Sequence, residues 1–76
     1  MELKNYEVQI INSDGTLDIL DWYTNTNIET VQGIVKNHFK REFMFNELTT
    51  CDDIKYAHAH PLFDSDFEVY IVEEIH

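Results

Sequence analysis

The sequence predicts an α+β fold of order ββαββ, an antiparallel sheet with one helix packed on one face. Three observations carry this expectation. Apolar residues alternate at period two in Tyr6-Glu7-Val8-Gln9-Ile10 and again from Asp66 to Ile75. Between these runs, Ile28, Val31, Ile34, Val35, His38 and Phe39 recur at helical spacing. Asp14-Gly15 lies between two apolar alternations, the strongest short signal for a hairpin.

In the first strand Tyr6, Val8 and Ile10 share one face, and Glu7 and Gln9 take the other. After Asn12-Ser13-Asp14-Gly15, the second strand runs from Thr16 to about Tyr23. Leu17 and Ile19 are expected to point inward, with Asp18 outward. The alternation breaks at Leu20-Asp21-Trp22, which predicts a bulge. Thr24 to Asn27 is a polar link, and Thr26 with Glu29 three residues later reads as a capping box. The helix then spans Ile28 to Glu42, with Lys36, Lys40 and Arg41 placed where positive charge complements its dipole.

Phe43-Met44-Phe45 is expected to fold back onto the sheet at the start of a long loop, 43–53. Ile54, Tyr56 and His58 alternate on a third strand that ends by Pro61. On the last strand Phe67, Val69 and Ile71 line one face; Glu68, Tyr70, Val72 and Glu74 line the other.

At 76 residues the chain reads as a single acidic domain, 1–76. A domain of this size buries only about 60% of its unfolded surface, so its core is thin. Cys51 is alone, which excludes an internal disulfide and fits a reducing cytoplasm. The opening Met1-Glu2-Leu3-Lys4-Asn5 is not that of a signal peptide, and no apolar stretch approaches a membrane span. Ile and Asn are plentiful while Ala, Gly, Pro and Arg are scarce, a usage expected of an AT-rich genome.

The charge is the most informative feature for function. Fifteen Asp and Glu oppose five Lys and Arg, giving −10. From Ile28 to Glu42, two acids oppose three bases, a charge of +1. The remainder carries thirteen acids against Lys4 and Lys55, a charge of −11. Concentrated like charge repels itself and costs stability, so it asks for a reason. Glu7, Asp18, Glu68 and Glu74 are expected to alternate onto the open face. Asp64, Asp66 and Glu68 are expected to form a ladder leading into it, with Asp14, Asp52 and Asp53 at the rims. Carboxylates on such a grid stand about 6.6 Å apart along a strand and roughly 4.8 Å across strands. That is sparser than DNA, with one phosphate per about 3.4 Å of each strand, yet close enough to engage a basic groove. A solvated acidic surface that serves only solubility is the plain alternative. Trp22, Tyr70 and Val72 add an apolar patch within the acidic rim, the makeup of a protein–protein contact or a homodimer interface.

Chemistry is not expected. His58 and His60 share a strand face, but zinc needs three or four ligands and no further residue has ligand spacing. Asp64-Ser65-Asp66-Phe67-Glu68 lacks the Gly and the later Glu of a calcium loop. Cys51 is flanked by Asp52 and Asp53, whose charge makes it a poor nucleophile. His38 lies on the apolar helix face and reads as a core-edge residue. No triad elbow, phosphate loop or dinucleotide fingerprint is present. The chain therefore reads as a non-enzyme with no catalytic residue, metal or cofactor.

In size, charge and type the whole chain resembles the small early proteins with which bacteriophages disable their hosts. More narrowly, it resembles DNA-mimic inhibitors that block uracil-DNA glycosylase or the nucleoid protein HU. The resemblance implies a protein acting in the bacterial host cytoplasm on a basic nucleic-acid-binding partner, with HU the leading target, and without itself binding nucleic acid. By that analogy the contact residues are Glu7, Asp14, Asp18, Asp21, Asp52, Asp53, Asp64, Asp66, Glu68 and Glu74. Two alternatives stay open. One is an anti-host inhibitor or adaptor, of the anti-CRISPR or RNA-polymerase-binding type, acting through the apolar patch. The other is a phage structural module whose acidity serves solubility.

Overall fold

The computed structural model describes residues 3–63 and 66–74. Its elements are β1 (Lys4–Asn12), β2 (Leu17–Thr26), α1 (Ile28–Phe39), β3 (Phe43–Phe45), β4 (Thr49–Cys51), β5 (Ile54–Pro61) and β6 (Phe67–Glu74). The fold is α+β: one helix on a six-stranded antiparallel sheet of order β2-β1-β6-β5-β3, with β4 also paired to β5. The expected ββαββ order is corrected by β3 and β4. Each has only three residues, too short to show a period, and each is defined by pairing to β5. Among the described residues no helix is long and apolar enough to cross a membrane.

The two strongest alternations, β1 and β6, pair side by side in the middle of the sheet. Their inward residues Val8, Val69 and Ile71 are fully buried, together with Ala57 and Ala59 of β5 and Val31 and Val35 of α1. Tyr6 and Phe43 complete the core, and Phe39, Phe45 and Phe67 pack against it. Among the described residues one buried acid shares this side. Glu73 is 8% exposed, beside Lys55 with Nζ and Oε2 3.9 Å apart. Sequence reading missed it, because a carboxylate gives no apolar signal.

The β1–β2 turn forms as expected. Gly15 sits at φ 87°, in the left-handed region that favours glycine. Its N–H donates to the Asn12 carbonyl at 2.9 Å, and the Asn12 N–H donates to the Thr16 carbonyl at 2.9 Å. The bulge is also present, as a register shift where Val8 pairs with Asp21 but Gln9 with Ile19. Its consequence reverses the expected facing of β2. Leu20 and Tyr23 pack against the core, while Leu17 and Ile19 are 53% and 45% exposed. One inserted residue in a period-two strand exchanges its two faces.

The helix starts one residue later than a Thr26 capping box would place it. Asn27 is the N-cap, and its side-chain oxygen accepts the Thr30 N–H at 2.8 Å. Asn27→Ala is expected to cost about 1 kcal/mol and Thr26→Ala much less, read from urea unfolding midpoints. Lys40 ends the helix in the left-handed conformation at φ 54°, its N–H donating to the Lys36 carbonyl. His38, expected at the core edge, is exposed, and its ring stands edge-to-face with Phe39, with centroids 4.7 Å apart.

Candidate functional site

The helix covers one face of the sheet. The other face is built by the outward residues of β2, β1, β6, β5 and β3, and cross-strand pairing assembles it in rows. Trp22 pairs with Glu7 and Glu7 with Val72; Val72 pairs in turn with Tyr56. The next row runs Ile19, Gln9, Tyr70 and His58. Beyond it Leu17 pairs with Ile11 and Ile11 with Glu68, while Met44 pairs with His60 on the far edge. Apolar and aromatic side chains therefore dominate the face that was expected to carry a grid of carboxylates.

In its middle lies a groove of about 400 Å³. Ile11, Ile54 and Val72 form apolar walls, and Tyr56 and Tyr70 present their rings. Gln9, Cys51 and Asp52 supply the polar atoms. The tyrosine ring centroids are 5.8 Å apart with the planes inclined at 57°. Burial, then the Glu68 carboxylate, then Tyr56, holds the Tyr70 phenol above its ordinary value of 10.0. The hairpin that brings Cys51 and Asp52 to the groove turns on Asp52 and Asp53, both left-handed at φ 51° and 66°. Aspartate tolerates this conformation better than most residues, and two such residues make the tight turn that suits a hairpin.

The acids expected on the open face divide. Glu7, Glu68 and Glu74 are there, as their register positions require. Glu7 accepts from Trp22 Nε1 at 2.8 Å and from the Gln9 amide. Glu68 meets His58 Nε2 at 3.0 Å. Asp18 is corrected to the helix side: it pairs with Ile10 and accepts from the Asn12 amide at 2.8 Å. Asp21 follows it, opposite Val8, and its charge adds to burial in raising the Tyr23 phenol. Asp21 lies there by alternation with Tyr23, and the β2 bulge between the two acids brings Asp18 to the same side.

Asp14 lies in the β1–β2 turn, Asp52 and Asp53 in the β4–β5 turn, and Asp66 just before β6. Asp64 lies outside the described residues, so the ladder of Asp64, Asp66 and Glu68 reduces to its last two members. The Thr16 hydroxyl donates to Asp14 at 2.6 Å and the Thr16 N–H at 3.0 Å. These bonds hold the Asp14 carboxyl below its ordinary 3.8. The depressed pKa favours the folded state at neutral pH, and that contribution fades as pH falls through the folded-state value. The carboxylates thus stand mostly at turns and strand ends, with Glu7 set within the face between Trp22 and Val72.

No Lys or Arg alternates onto the open face. Lys4 and Lys55 take helix-side positions on β1 and β5, and Lys36, Lys40 and Arg41 gather at the C-terminal end of α1. His58 is engaged on both ring nitrogens, with Asn46 Nδ2 3.4 Å from Nδ1 and Glu68 on Nε2. His60 Nδ1 is 3.1 Å from the Pro61 carbonyl oxygen. Among the described residues no three His, Cys, Asp or Glu side chains gather as metal ligands would.

Of the apolar residues picked from sequence, Trp22 is 57% exposed at the margin of the face, and Tyr70 and Val72 lie at its centre. Sequence reading missed Ile11, Leu17, Ile19, Ile54 and Tyr56 as their companions. The signal was present for Ile54 and Tyr56, which share the alternation of β5. For Leu17 and Ile19 the bulge concealed it. Strand β6 has both edges paired, to β1 and to β5, so its contribution to any contact is its face and not strand addition.

No family model, curated protein or solved structure matches this chain.

Proposed function

We propose that this chain is a non-enzymatic inhibitor that binds a basic protein through the open face of its sheet and blocks that protein's access to nucleic acid. The observation that carries this reading is a face with an apolar centre, acidic surroundings and no Lys or Arg. Apolar area supplies affinity, because its burial contributes roughly 25 cal/mol per Å². The carboxylates supply steering and exclude acidic partners. By the resemblance to phage inhibitors, the setting is a bacterial cytoplasm and the first target to test is HU. Among the open alternatives, an adaptor working through the apolar patch uses this same face.

Strict phosphate mimicry is the second reading. It is favoured by the acids at the hairpin end, where Asp14 is held anionic by Thr16. Salt separates the two. Mimicry by carboxylates alone loses affinity steeply as counterions are restored, whereas an apolar contact responds weakly.

The test is capture from bacterial lysate on the immobilised chain, with and without competing DNA, followed by alkylation of Cys51. Cys51 is exposed and lines the groove, so it reports occupancy of this face. The expected result is a basic protein that DNA displaces and that slows Cys51 alkylation severalfold. Capture of an acidic protein, or of a basic one that leaves the alkylation rate unchanged, would sink the reading.

A further inference from the structure

The groove has a composition that selects its occupant. Its walls are aliphatic, two tyrosine rings are inclined to one another at 57°, and among the described residues Asp52 is the one charged member of its lining. An uncharged apolar side chain would satisfy the walls and leave the exposed Asp52 carboxylate without a cation. An acidic side chain would meet Asp52 and, across the sheet, Glu68. A compact ammonium keeps its hydration and stacks poorly. A guanidinium is flat and weakly hydrated, lies on aromatic faces, and donates to carboxylates in a fixed fork. Its aliphatic stem also suits a wall of Val72 and Ile11.

We infer that the groove is an arginine-side-chain site, in which the partner lays one arginine over the adjoining rings of Tyr56 and Tyr70 with its guanidinium directed to Asp52. The inference rests on reading the open face as the partner-binding face, and it deepens that reading by naming the anchor. The volume of about 400 Å³ is near the lower end for ligand clefts and admits one long side chain with its flanking backbone. Charge complementarity extends beyond the groove, because the face around it adds Glu7, Glu68 and Glu74 and no Lys or Arg. Such an anchor agrees with the enrichment of Arg among residues that dominate interface affinity.

The test needs no partner protein. The chain labelled with nitrogen-15 is titrated with N-acetyl-arginine amide, and in separate arms with the citrulline, lysine and leucine analogues. Arginine is expected to bind with a Kd on the order of a millimolar, as its size allows. Amide shifts should concentrate at Gln9, Asp52, Tyr56, Tyr70 and Val72. Citrulline has nearly the same shape without the charge, and should bind about tenfold more weakly or not at all. Asp52→Asn keeps a residue that tolerates the left-handed turn and should weaken arginine about threefold to tenfold. Tyr70→Leu keeps apolar bulk and should weaken it similarly by removing a ring face.

Equal binding of citrulline and arginine would overturn the inference. So would shifts as large at Asp14 and Asp66 as in the groove, the mark of diffuse attraction. If the chain captures a basic protein that shields Cys51 while the arginine analogue produces no groove shifts, the arginine anchor fails and the docking face stands. If the analogue binds in the groove and lysate capture fails, the anchor stands and the proposed function fails.

Discussion

Val72→Lys and Val72→Glu are both expected to weaken capture of the basic partner by 100-fold or more. Val72 sits at the crossing of two rows, paired to Glu7 on one side and Tyr56 on the other, and lines the groove. A charged side chain there removes apolar area at the centre of the contact and must be desolvated when the partner docks. Loss of about 3 kcal/mol, the scale of an interface hot spot, corresponds to the stated factor. The pair of variants separates two mechanisms. If carboxylates alone attract the partner, adding Glu should preserve or strengthen binding while Lys weakens it. If the apolar centre anchors the partner, both weaken it. Isothermal titration with the captured protein reads the outcome. Thermal unfolding of each variant, staying within a few degrees of the parent chain, separates lost binding from lost fold. Retained affinity in Val72→Glu would place the contact on the acids and away from the groove.

The largest effect on stability is expected at Ile71. Its side chain is fully buried, and its cross-strand partners are Val8 on β1 and Ala57 on β5. Truncating a buried isoleucine to alanine costs about 2–5 kcal/mol, more where neighbours cannot collapse into the space. Ala57 has only a methyl group, which cannot turn to fill a cavity, so about 3–4 kcal/mol is expected for Ile71→Ala. A domain of this length has a total stability of roughly 4–11 kcal/mol. The substitution therefore removes a large share of it and lowers Tm by roughly 12–30 °C. Ile54→Ala is the control. Ile54 is 51% exposed on the open face, and its loss should change stability by no more than about 1 kcal/mol. Calorimetry on the two variants checks both figures. Similar Tm values would mean that the helix side is not the core of the domain.

The Ile71 and Val72 predictions rest on neighbouring residues whose opposite roles are legible in sequence. The alternation of β6 separates Val69 and Ile71 from Tyr70 and Val72, and the structure keeps that division. The hairpin at Gly15 and the apolar stripe of α1 are equally local signals, set by glycine's tolerance of positive φ and by the helical period. The facing of β2 was not legible, although the place of its bulge was. An inserted residue reverses a strand, and the direction of that reversal depends on which side of the interruption meets the core. Tyr23 and Leu20 do so; Leu17 and Ile19 do not.

Sequence by itself determined the acidity of the chain, the two central strands, the hairpin and the helix. These follow from composition and from periods that a few consecutive residues display. Tertiary structure alone decided the site. The groove draws on β1, β6, β5 and the β4–β5 turn, so its residues are neighbours only through strand order and register. It also decided what the charge surrounds. With Tyr23 and Asp21 on the helix side, the bulge in β2 sends Asp18 there as well and brings Leu17 and Ile19 to the open face, where they join Glu7, Glu68 and Glu74.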